Sequence, residues 1–191
     1  YHARPLGYEK PAQLRADIAL VAASLLSHRG AHAGLYPVRR LLRRIDTFGF
    51  HLATLDLRQH TDVHHAVIAA GLDDAQWPQR GSDERHARLV EILDRDQGPT
   101  GVFDALGRRT LGVFDAIMQG RHRYGPDAIG LYIVAGATDA DDLPAPLVLA
   151  RWASACDKRT GEAAIDVAPQ FDSVATLDGC AGVMRELLRD T

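Results

Sequence analysis

Residues 129–135 form a short apolar run, Ile-Gly-Leu-Tyr-Ile-Val-Ala, which is rich in branched and aromatic side chains. Gly125-Pro126 precedes the run and Gly136 follows it, so turn-forming residues bound it on both sides. A continuous apolar run of this length is typical of a strand that is buried on both faces of a parallel sheet. The sequence therefore predicts a strand near residues 129–136.

Two further segments predict strands. Residues 50–58 begin with alternating apolar side chains and contain no proline, and residues 163–169 form a short apolar stretch that ends at a proline. Apolar residues at three- and four-residue spacing follow each of the three strands and precede the first. The predicted helices cover residues 11–28, 35–45, 61–70, 83–96, 102–119, 139–155 and 176–189.

Strands that alternate with helices predict parallel strands joined by crossover helices. Three parallel strands leave both sheet edges open and cannot close a barrel of about eight strands. We therefore predict a helix-rich α/β fold that is an incomplete arc of a (β/α)8 barrel, with at least three parallel strands and extra helices. The chain begins at Tyr1 and not at a methionine, so residues 1–191 are expected to be a single central fragment of a larger barrel protein.

The composition excludes several classes of protein. Hydrophobic residues make up 46% and charged residues 25% of the chain, as in globular proteins. A net charge of -3 gives no bulk attraction to nucleic acid, and no apolar run approaches the roughly 18 residues that cross a membrane. We expect neither partner. Cys156 and Cys180 lack the spacing of a metal or redox site, which is compatible with a reducing cytoplasm.

The ends of the predicted strands hold the residues with functional chemistry, because sites of parallel α/β folds form there. Arg58 ends the first strand and is suited to a phosphate or carboxylate, or equally to an ion pair with a strand-end acid. Residues 135–138 form a small-residue loop that either approaches a ligand or is a plain turn. Asp172 follows the third strand, where it is a candidate ligand of a hard metal or the cap of the next helix.

Other motifs argue against common activities. His60 and His64 are four residues apart, but Thr61 stands where H-E-x-x-H zinc sites have glutamate, so the pair is a poor candidate for zinc. The sequence contains no phosphate loop of the form G-x-x-x-x-G-K-S/T, no G-x-G-x-x-G and no G-x-S-x-G. Nucleotide binding and serine hydrolysis therefore lack their usual sequence support.

Three segments resemble phosphoenolpyruvate carboxylases. Residues 47–59, Thr-Phe-Gly-Phe-His-Leu-Ala-Thr-Leu-Asp-Leu-Arg-Gln, are similar to the family segment F-G-x-x-L-x-x-L-D-I-R-Q-E-S, and His64 follows at the same offset. Residues 129–143 resemble Y-V-I-S-M-A-x-x-x-x-D-V-L, and residues 167–188 resemble V-x-P-L-F-E-T-x-x-D-L with the helix after it. The resemblance covers nearly the whole chain, which is much shorter than a family member.

The resemblance implies an α/β barrel with extra helices, in a cytoplasmic homotetramer that carboxylates phosphoenolpyruvate with bicarbonate to oxaloacetate and phosphate. It implies that Arg58 is catalytic and contacts the substrate phosphate, that Gln59 is a second substrate-binding residue, and that Asp172 is a ligand of Mg²⁺ or Mn²⁺. The family's Gly-rich loop, second metal-binding aspartate, catalytic lysine and essential histidine lie outside this chain. The isolated chain is therefore expected to be inactive and to bind no metal by itself.

Two alternatives stay open at this point. His60 stands where the family has an acid, and Asp172 is one methylene shorter than the family's glutamate. These departures are also compatible with a non-catalytic relative that serves as an interaction or regulatory module. An unrelated small α/β binding protein would be a stable monomer, whereas a slice of a barrel would expose apolar surface and associate.

Overall fold

The computed structural model describes residues 7–156 and 160–189. Its α-helices are α1 (Pro11–Ser27), α2 (Leu35–Phe48), α3 (Thr61–Leu72), α4 (Ser82–Asp94), α5 (Ala105–Tyr124), α6 (Pro144–Trp152) and α7 (Val174–Leu187). Its strands are β1 (Leu55–His60), β2 (Ile129–Ala135) and β3 (Asp166–Gln170), and short 3-10 helices cover Gly30–His32, Trp77–Gln79, Pro126–Ala128 and Ala140–Asp142. A helix-rich α/β fold with three parallel strands, as predicted, is confirmed for these residues.

Two compact units divide the described residues. One unit extends as far as Thr54 and also includes Arg123–Ala128, and the other comprises Leu55–His122 and the residues from Ile129 onward. In the first unit α1 packs on α2, with Leu35 and Ile45 buried. The arginines of α2 lie on its exposed side, as its apolar spacing predicts. They are Arg39, Arg40, Arg43 and Arg44.

The second unit is built on a parallel sheet in the order β1-β2-β3. Alternate residues of the strands, such as Leu57 and Tyr132, pack on one side against α3, α4, α5 and α6. The largest side chains buried there are Trp77, Tyr132 and Phe114, and the rings of the last two stack with their centroids 5.2 Å apart. The core of this unit therefore lies on one side of the sheet.

Several residues on the other side of the sheet are exposed. Leu131 of β2 is 39% exposed, and Asp56 and Arg58 of β1 are exposed as well. The expectation of a strand buried on both faces is therefore wrong for β2 in this chain.

The first strand begins later than predicted. Residues 50–54 alternate in hydrophobicity but form no strand, because α2 continues to Phe48 and the chain then turns at Gly49 with φ of 52°. Leu52 also has a positive φ and is 77% exposed, so its side chain contributes to a turn and not to a sheet. The strand continues to His60, two residues beyond the predicted end.

The third strand and the helix before it also differ from prediction. Strand β3 covers Asp166–Gln170 and not 163–169, and Ala163 instead forms an isolated antiparallel bridge with Cys156. Helix α6 begins at Pro144 because proline is favoured in the first turn, where its missing N–H costs no hydrogen bond. The acidic residues before it form a 3-10 turn over Ala140–Asp142.

A carboxylate completes the ladder between the first two strands. The register of β1 against β2 shifts between Leu55 and Leu57. At this irregularity Asp56 Oδ1 accepts a 2.8 Å hydrogen bond from the backbone N–H of Leu131. The side chain of Asp56 therefore takes the place of a backbone carbonyl at the bulge.

None of the helices in the described ranges is both long enough and apolar enough to cross a lipid bilayer.

Candidate functional site

The carboxyl ends of the three strands meet at one edge of the sheet. His60 pairs with Ala135, and Ala135 pairs with Gln170, so the last residues of the strands lie side by side. Arg58 and Asp172 both belong to this edge, one within β1 and the other two residues after β3. Functional groups of parallel α/β folds collect at this edge.

Arg58 lies across the open face of the sheet. Its neighbour Leu57 packs on the core, so strand alternation turns Arg58 to the opposite side, where 56% of its side chain is exposed. Its Nε donates a 2.6 Å hydrogen bond to Oε1 of Gln170. Since β2 lies between β1 and β3, the guanidinium spans the middle strand.

Asp172 lies beside the Arg58 guanidinium. Its Oδ2 is 3.8 Å from Nη2 of Arg58, and 42% of its side chain is exposed. This separation is longer than a hydrogen bond and gives a weak, solvent-screened attraction. The structure thus brings together two of the predicted site residues, which are more than a hundred positions apart in the sequence.

Asp172 does not cap the helix that follows it. Ser173 is the N-cap of α7, and its Oγ accepts a 3.1 Å hydrogen bond from the backbone N–H of Thr176. The side chain of Thr176 in turn accepts from the N–H of Ser173 at 3.0 Å, which completes a capping box. The alternative that Asp172 serves as the cap is therefore wrong, and its carboxylate is not needed to start α7.

Gln59 lies on the other side of the sheet from Arg58. It pairs with the buried Val134, and alternation along β1 turns it toward the core side. Its Oε1 accepts a 2.9 Å hydrogen bond from the backbone N–H of His60. The structure therefore does not bring Gln59 together with Arg58 and Asp172.

His60 closes the edge between the first two strands. It is the N-cap of α3, where its Nδ1 accepts a 3.3 Å hydrogen bond from the backbone N–H of Asp62. Its ring covers Gly136, which has φ of 71°, and a Cβ at that position would lie 2.5 Å from Nε2 of His60. Two separate reasons therefore require glycine at position 136: its backbone has a positive φ, and the imidazole of His60 occupies the space that a Cβ would need.

A buried aspartate, which the sequence did not single out, joins the loops after β1 and β2. Asp142 Oδ1 accepts hydrogen bonds from the hydroxyl of Thr61 and, at 3.1 Å, from Nε2 of His65. Its Oδ2 accepts from the backbone N–H groups of Thr138 at 2.7 Å and Asp139 at 3.0 Å. One carboxylate therefore fixes the start of α3 to the loop that follows β2.

The protonation of this carboxylate follows from its surroundings. Burial by itself raises the pKa of Asp142. The four hydrogen bonds to its oxygens outweigh burial and lower the pKa to about 2. Asp142 is therefore a carboxylate throughout the physiological pH range, and its hydrogen bonds are charge-assisted.

Asp141 ties the same loop to α4. Its side chain is fully buried and accepts hydrogen bonds from Oγ of Ser82 at 2.6 Å and from Nε of Arg85 at 2.5 Å. The Arg85 guanidinium compensates the buried charge. Asp141 therefore fastens the first turn of α4 beneath the edge of the sheet that carries Arg58.

His65, Asp141 and Asp142 are close enough to hold a metal, and they are the only such group among residues 7–156 and 160–189. Their hydrogen bonds favour a different role. The indole N–H of Trp77, which can only donate, lies 3.2 Å from Nδ1 of His65. Nδ1 is therefore the acceptor, Nε2 carries the proton, and His65 donates to Asp142. We interpret the three residues as a structural clamp.

Comparison with known proteins identifies the family. The family model described as phosphoenolpyruvate carboxylase matches residues 2–191. A phosphoenolpyruvate carboxylase of Xanthomonas campestris pv. campestris (strain 8004) is 38% identical over 183 residues, which are 96% of this chain. Similar proteins of the same description from Ralstonia nicotianae (strain ATCC BAA-1114 / GMI1000) and Rhodopseudomonas palustris (strain BisA53) are 34% and 32% identical over 95% of the chain.

The match covers almost all of this chain but only part of each relative. The chain spans about 20% of the length of these curated proteins. Because the family model matches almost every residue, the chain belongs to the phosphoenolpyruvate carboxylase family.

Proposed function

We propose that this chain is a central part of an enzyme that carboxylates phosphoenolpyruvate with bicarbonate and releases oxaloacetate and phosphate. Family membership supports the reaction. The single observation that carries the site is the placement of Arg58 beside Asp172, 3.8 Å apart on the open face at the strand ends. A cation and a carboxylate at this edge are the groups that a phosphorylated substrate and a divalent ion need.

In the proposed reaction a bicarbonate oxygen attacks the phosphorus of phosphoenolpyruvate, and the bond from phosphorus to the enol oxygen breaks. The products of this step are carboxyphosphate and the enolate of pyruvate. The enolate carbon then bonds to the carboxyl carbon of carboxyphosphate, the bond from that carbon to the bridging oxygen breaks, and inorganic phosphate leaves with the proton that bicarbonate brought. Arg58 holds the phosphoryl group during the transfer, since its Nη atoms can reach two oxygens of one phosphate.

Gln59 is outside the proposed phosphate site. Its side chain lies on the core side of the sheet and already accepts a hydrogen bond from the backbone of His60. We therefore assign the contact with the substrate to Arg58 and no such contact to Gln59.

The carboxylate of Asp172 is suited to be one ligand of Mg²⁺ or Mn²⁺, because these hard ions prefer carboxylate oxygens. Among the described residues, no group that could hold a metal includes Asp172. The other ligands would come from further parts of the longer protein. When bound, the ion would supply Lewis-acid stabilisation of negative charge on the substrate.

We propose further that the sheet is an arc of a (β/α)8 barrel. Strands β1 and β3 are the edges of the sheet that the structure describes, and parallel sheets are normally covered on both faces. Further strands beside β1 and β3 would close the barrel and enclose the open face with Arg58. A crystal structure of the longer protein tests this proposal, which requires both edges to be paired with parallel strands.

The same proposal extends to the assembly. Family membership supports a cytoplasmic homotetramer, in which the rest of the polypeptide completes each active site. We expect the 191-residue chain by itself to be inactive. Light scattering on the longer protein tests the tetramer, and an activity assay of the isolated chain tests its inactivity.

The decisive experiment is an assay of the longer protein for oxaloacetate formation that depends on both phosphoenolpyruvate and bicarbonate. We expect turnover in the parent protein and a loss of at least about tenfold in kcat/KM for Arg58→Ala, because a hydrogen bond to a charged group contributes about 1.5 to 3 kcal/mol. Arg109→Ala is the matched control, since Arg109 is exposed on α5. Equal kinetic constants for Arg58→Ala and the parent would reduce Arg58 to a structural role.

The competing function is that of a non-catalytic relative that serves as an interaction or regulatory module. The observation in its favour is His60, which replaces an acid of the family motif and is used here as the cap of α3. This alternative expects no oxaloacetate from the folded longer protein at any metal concentration. Robust turnover rejects it.

A further inference from the structure

Gln170 is the hydrogen-bond partner of Arg58 at the strand ends. Its Oε1 accepts from Arg58 Nε at 2.6 Å, and the bond reaches from β3 to β1 across the middle strand. Gln170 therefore joins the arginine of the first strand to the end of the third strand.

The chemistry of an amide acceptor differs from that of a carboxylate. The amide oxygen of Gln170 is uncharged, so it fixes Nε of Arg58 without neutralising the guanidinium. The two Nη atoms take no part in this bond, which uses Nε alone. They are the atoms that bind two oxygens of a phosphate or carboxylate.

A competing acceptor lies nearby. Asp172 Oδ2 is 3.8 Å from Arg58 Nη2, and a small rotation of the arginine would bring the two into a direct ion pair. Such a pair would occupy Asp172 and Nη2 of Arg58. The bond to Gln170 opposes this rotation because it holds the other end of the guanidinium.

We propose that Gln170 is a positioning residue, which holds Arg58 across β2 and apart from Asp172 so that its charge remains available to an anionic substrate. The identity of that substrate as phosphoenolpyruvate rests on the proposed function. The positioning itself depends only on the contacts among Arg58, Gln170 and Asp172.

The first test examines positioning without any substrate. In a crystal structure of the Gln170→Leu variant, we expect Arg58 to turn and pair directly with Asp172, at about 2.8 Å between nitrogen and oxygen. An unchanged separation between Arg58 and Asp172 would overturn the proposal. This result does not depend on whether the protein is a carboxylase.

The second test measures binding of phosphoenolpyruvate to the longer protein by calorimetry in metal-free buffer. We expect Gln170→Leu to weaken binding about tenfold, which is the effect of losing about 1.4 kcal/mol. Gln170→Glu should also weaken binding, because it retains an acceptor for Nε but neutralises the guanidinium. Gln119→Leu is the matched control, since Gln119 is exposed on α5.

A double variant separates positioning from an independent effect. In an Arg58→Ala background, Gln170→Leu should cause no further loss of binding, since it acts through Arg58. An equal loss in both backgrounds, or tight binding by Gln170→Glu, would contradict the proposal. A folded parent protein that binds no phosphoenolpyruvate and forms no oxaloacetate would instead overturn the proposed function, and the crystallographic test would still decide the positioning.

In steady-state assays Gln170→Leu should raise KM for phosphoenolpyruvate about tenfold and change kcat less than twofold, because the variant removes correct placement and not the guanidinium itself. A general loss of folding would lower the fraction of active protein and hence kcat. An unchanged KM with a lower kcat would therefore count against positioning.

Discussion

Nε2 of His64 lies 2.9 Å from the phenolic oxygen of Tyr132, and both side chains are buried where α3 packs on β2. Burial lowers the pKa of His64 to about 4 and raises the pKa of Tyr132 to about 12. Both residues are therefore neutral in the folded protein near pH 7. The Nδ1 atom of His64 has no hydrogen-bond partner among the described residues.

We expect this histidine to make folding sensitive to mild acid. The unfolded chain binds a proton at His64 near pH 6.5, whereas the folded chain resists protonation down to about pH 4. The contribution of His64 to the free energy of unfolding is therefore at its full value above about pH 7. The free energy of unfolding falls as the pH is lowered from 6.5 toward 4, by up to about 3 kcal/mol. Urea unfolding at a series of pH values measures the effect.

Two variants make the pH test specific. His64→Phe should flatten the dependence between pH 6.5 and 4, because it removes the group that binds the proton. His32→Gln should leave the dependence unchanged, since His32 is exposed. Parallel curves for the parent protein and His64→Phe would show that other groups cause the acid sensitivity.

Asp142→Asn should lower the free energy of unfolding by about 2 to 4 kcal/mol. In asparagine an NH2 group replaces one of the two carboxylate oxygens. This NH2 group would face hydrogen-bond donors and cannot accept from them, so at least one buried donor would lose its partner. Calorimetric or urea unfolding measures the loss. Asp178→Asn on the exposed side of α7 is the matched control and should change stability by less than about 0.5 kcal/mol. A similar effect of both variants would contradict the role assigned to the buried network.

Asp172 variants of the longer protein should change the response to metal. Asp172→Glu, which restores the longer carboxylate of the family motif, should tighten activation by Mg²⁺ or Mn²⁺, and Asp172→Asn should weaken it. Because Ser173 caps α7, neither variant should alter the unfolding temperature appreciably. Activity titrated against metal concentration separates the three proteins, and coincident titrations would contradict the proposal that Asp172 is a metal ligand.

Gly136→Ala should destabilise the fold by about 1 to 3 kcal/mol, because a left-handed backbone and the ring of His60 both oppose a Cβ there. Combining it with His60→Ala should recover part of the loss, since the contact disappears while the backbone strain remains. Gly112→Ala on α5 is the control and should be neutral or stabilising, because no atom lies within 4 Å of its Cβ position. Strictly additive losses in the double variant would show that His60 does not fill this space.

The strand-end residues could be predicted because parallel strands place their carboxyl ends together. To predict that Arg58 and Asp172 lie close together, only the positions of two strands were needed, and the structure places the two side chains beside each other. The resemblance implies a substrate contact for Gln59, but strand alternation turns its side chain to the other side of the sheet. A position in a motif does not determine which face a side chain occupies, whereas the period of the strand does.

The buried network could not be predicted from local pattern. Asp142 meets His65 across 77 positions of sequence, and Asp141 meets Ser82 across 59. Their only local signal is the acidic segment before Pro144, which is equally typical of a helix start. The wrong strand prediction at residues 50–54 has the opposite cause. Apolar and polar residues alternate there, but the segment does not pair with another strand and Leu52 is exposed.

The hydrogen bond from the Leu131 backbone to Asp56 also determines which way the site faces. If β1 slipped by one residue along β2, every side chain of β1 would change sides, Leu57 would enter solvent and Arg58 would enter the apolar core. Asp56 opposes this slip because its carboxylate matches a single N–H of the neighbouring strand. The orientation of the site arginine is thus set two residues before it, by an acid that touches no part of the proposed substrate.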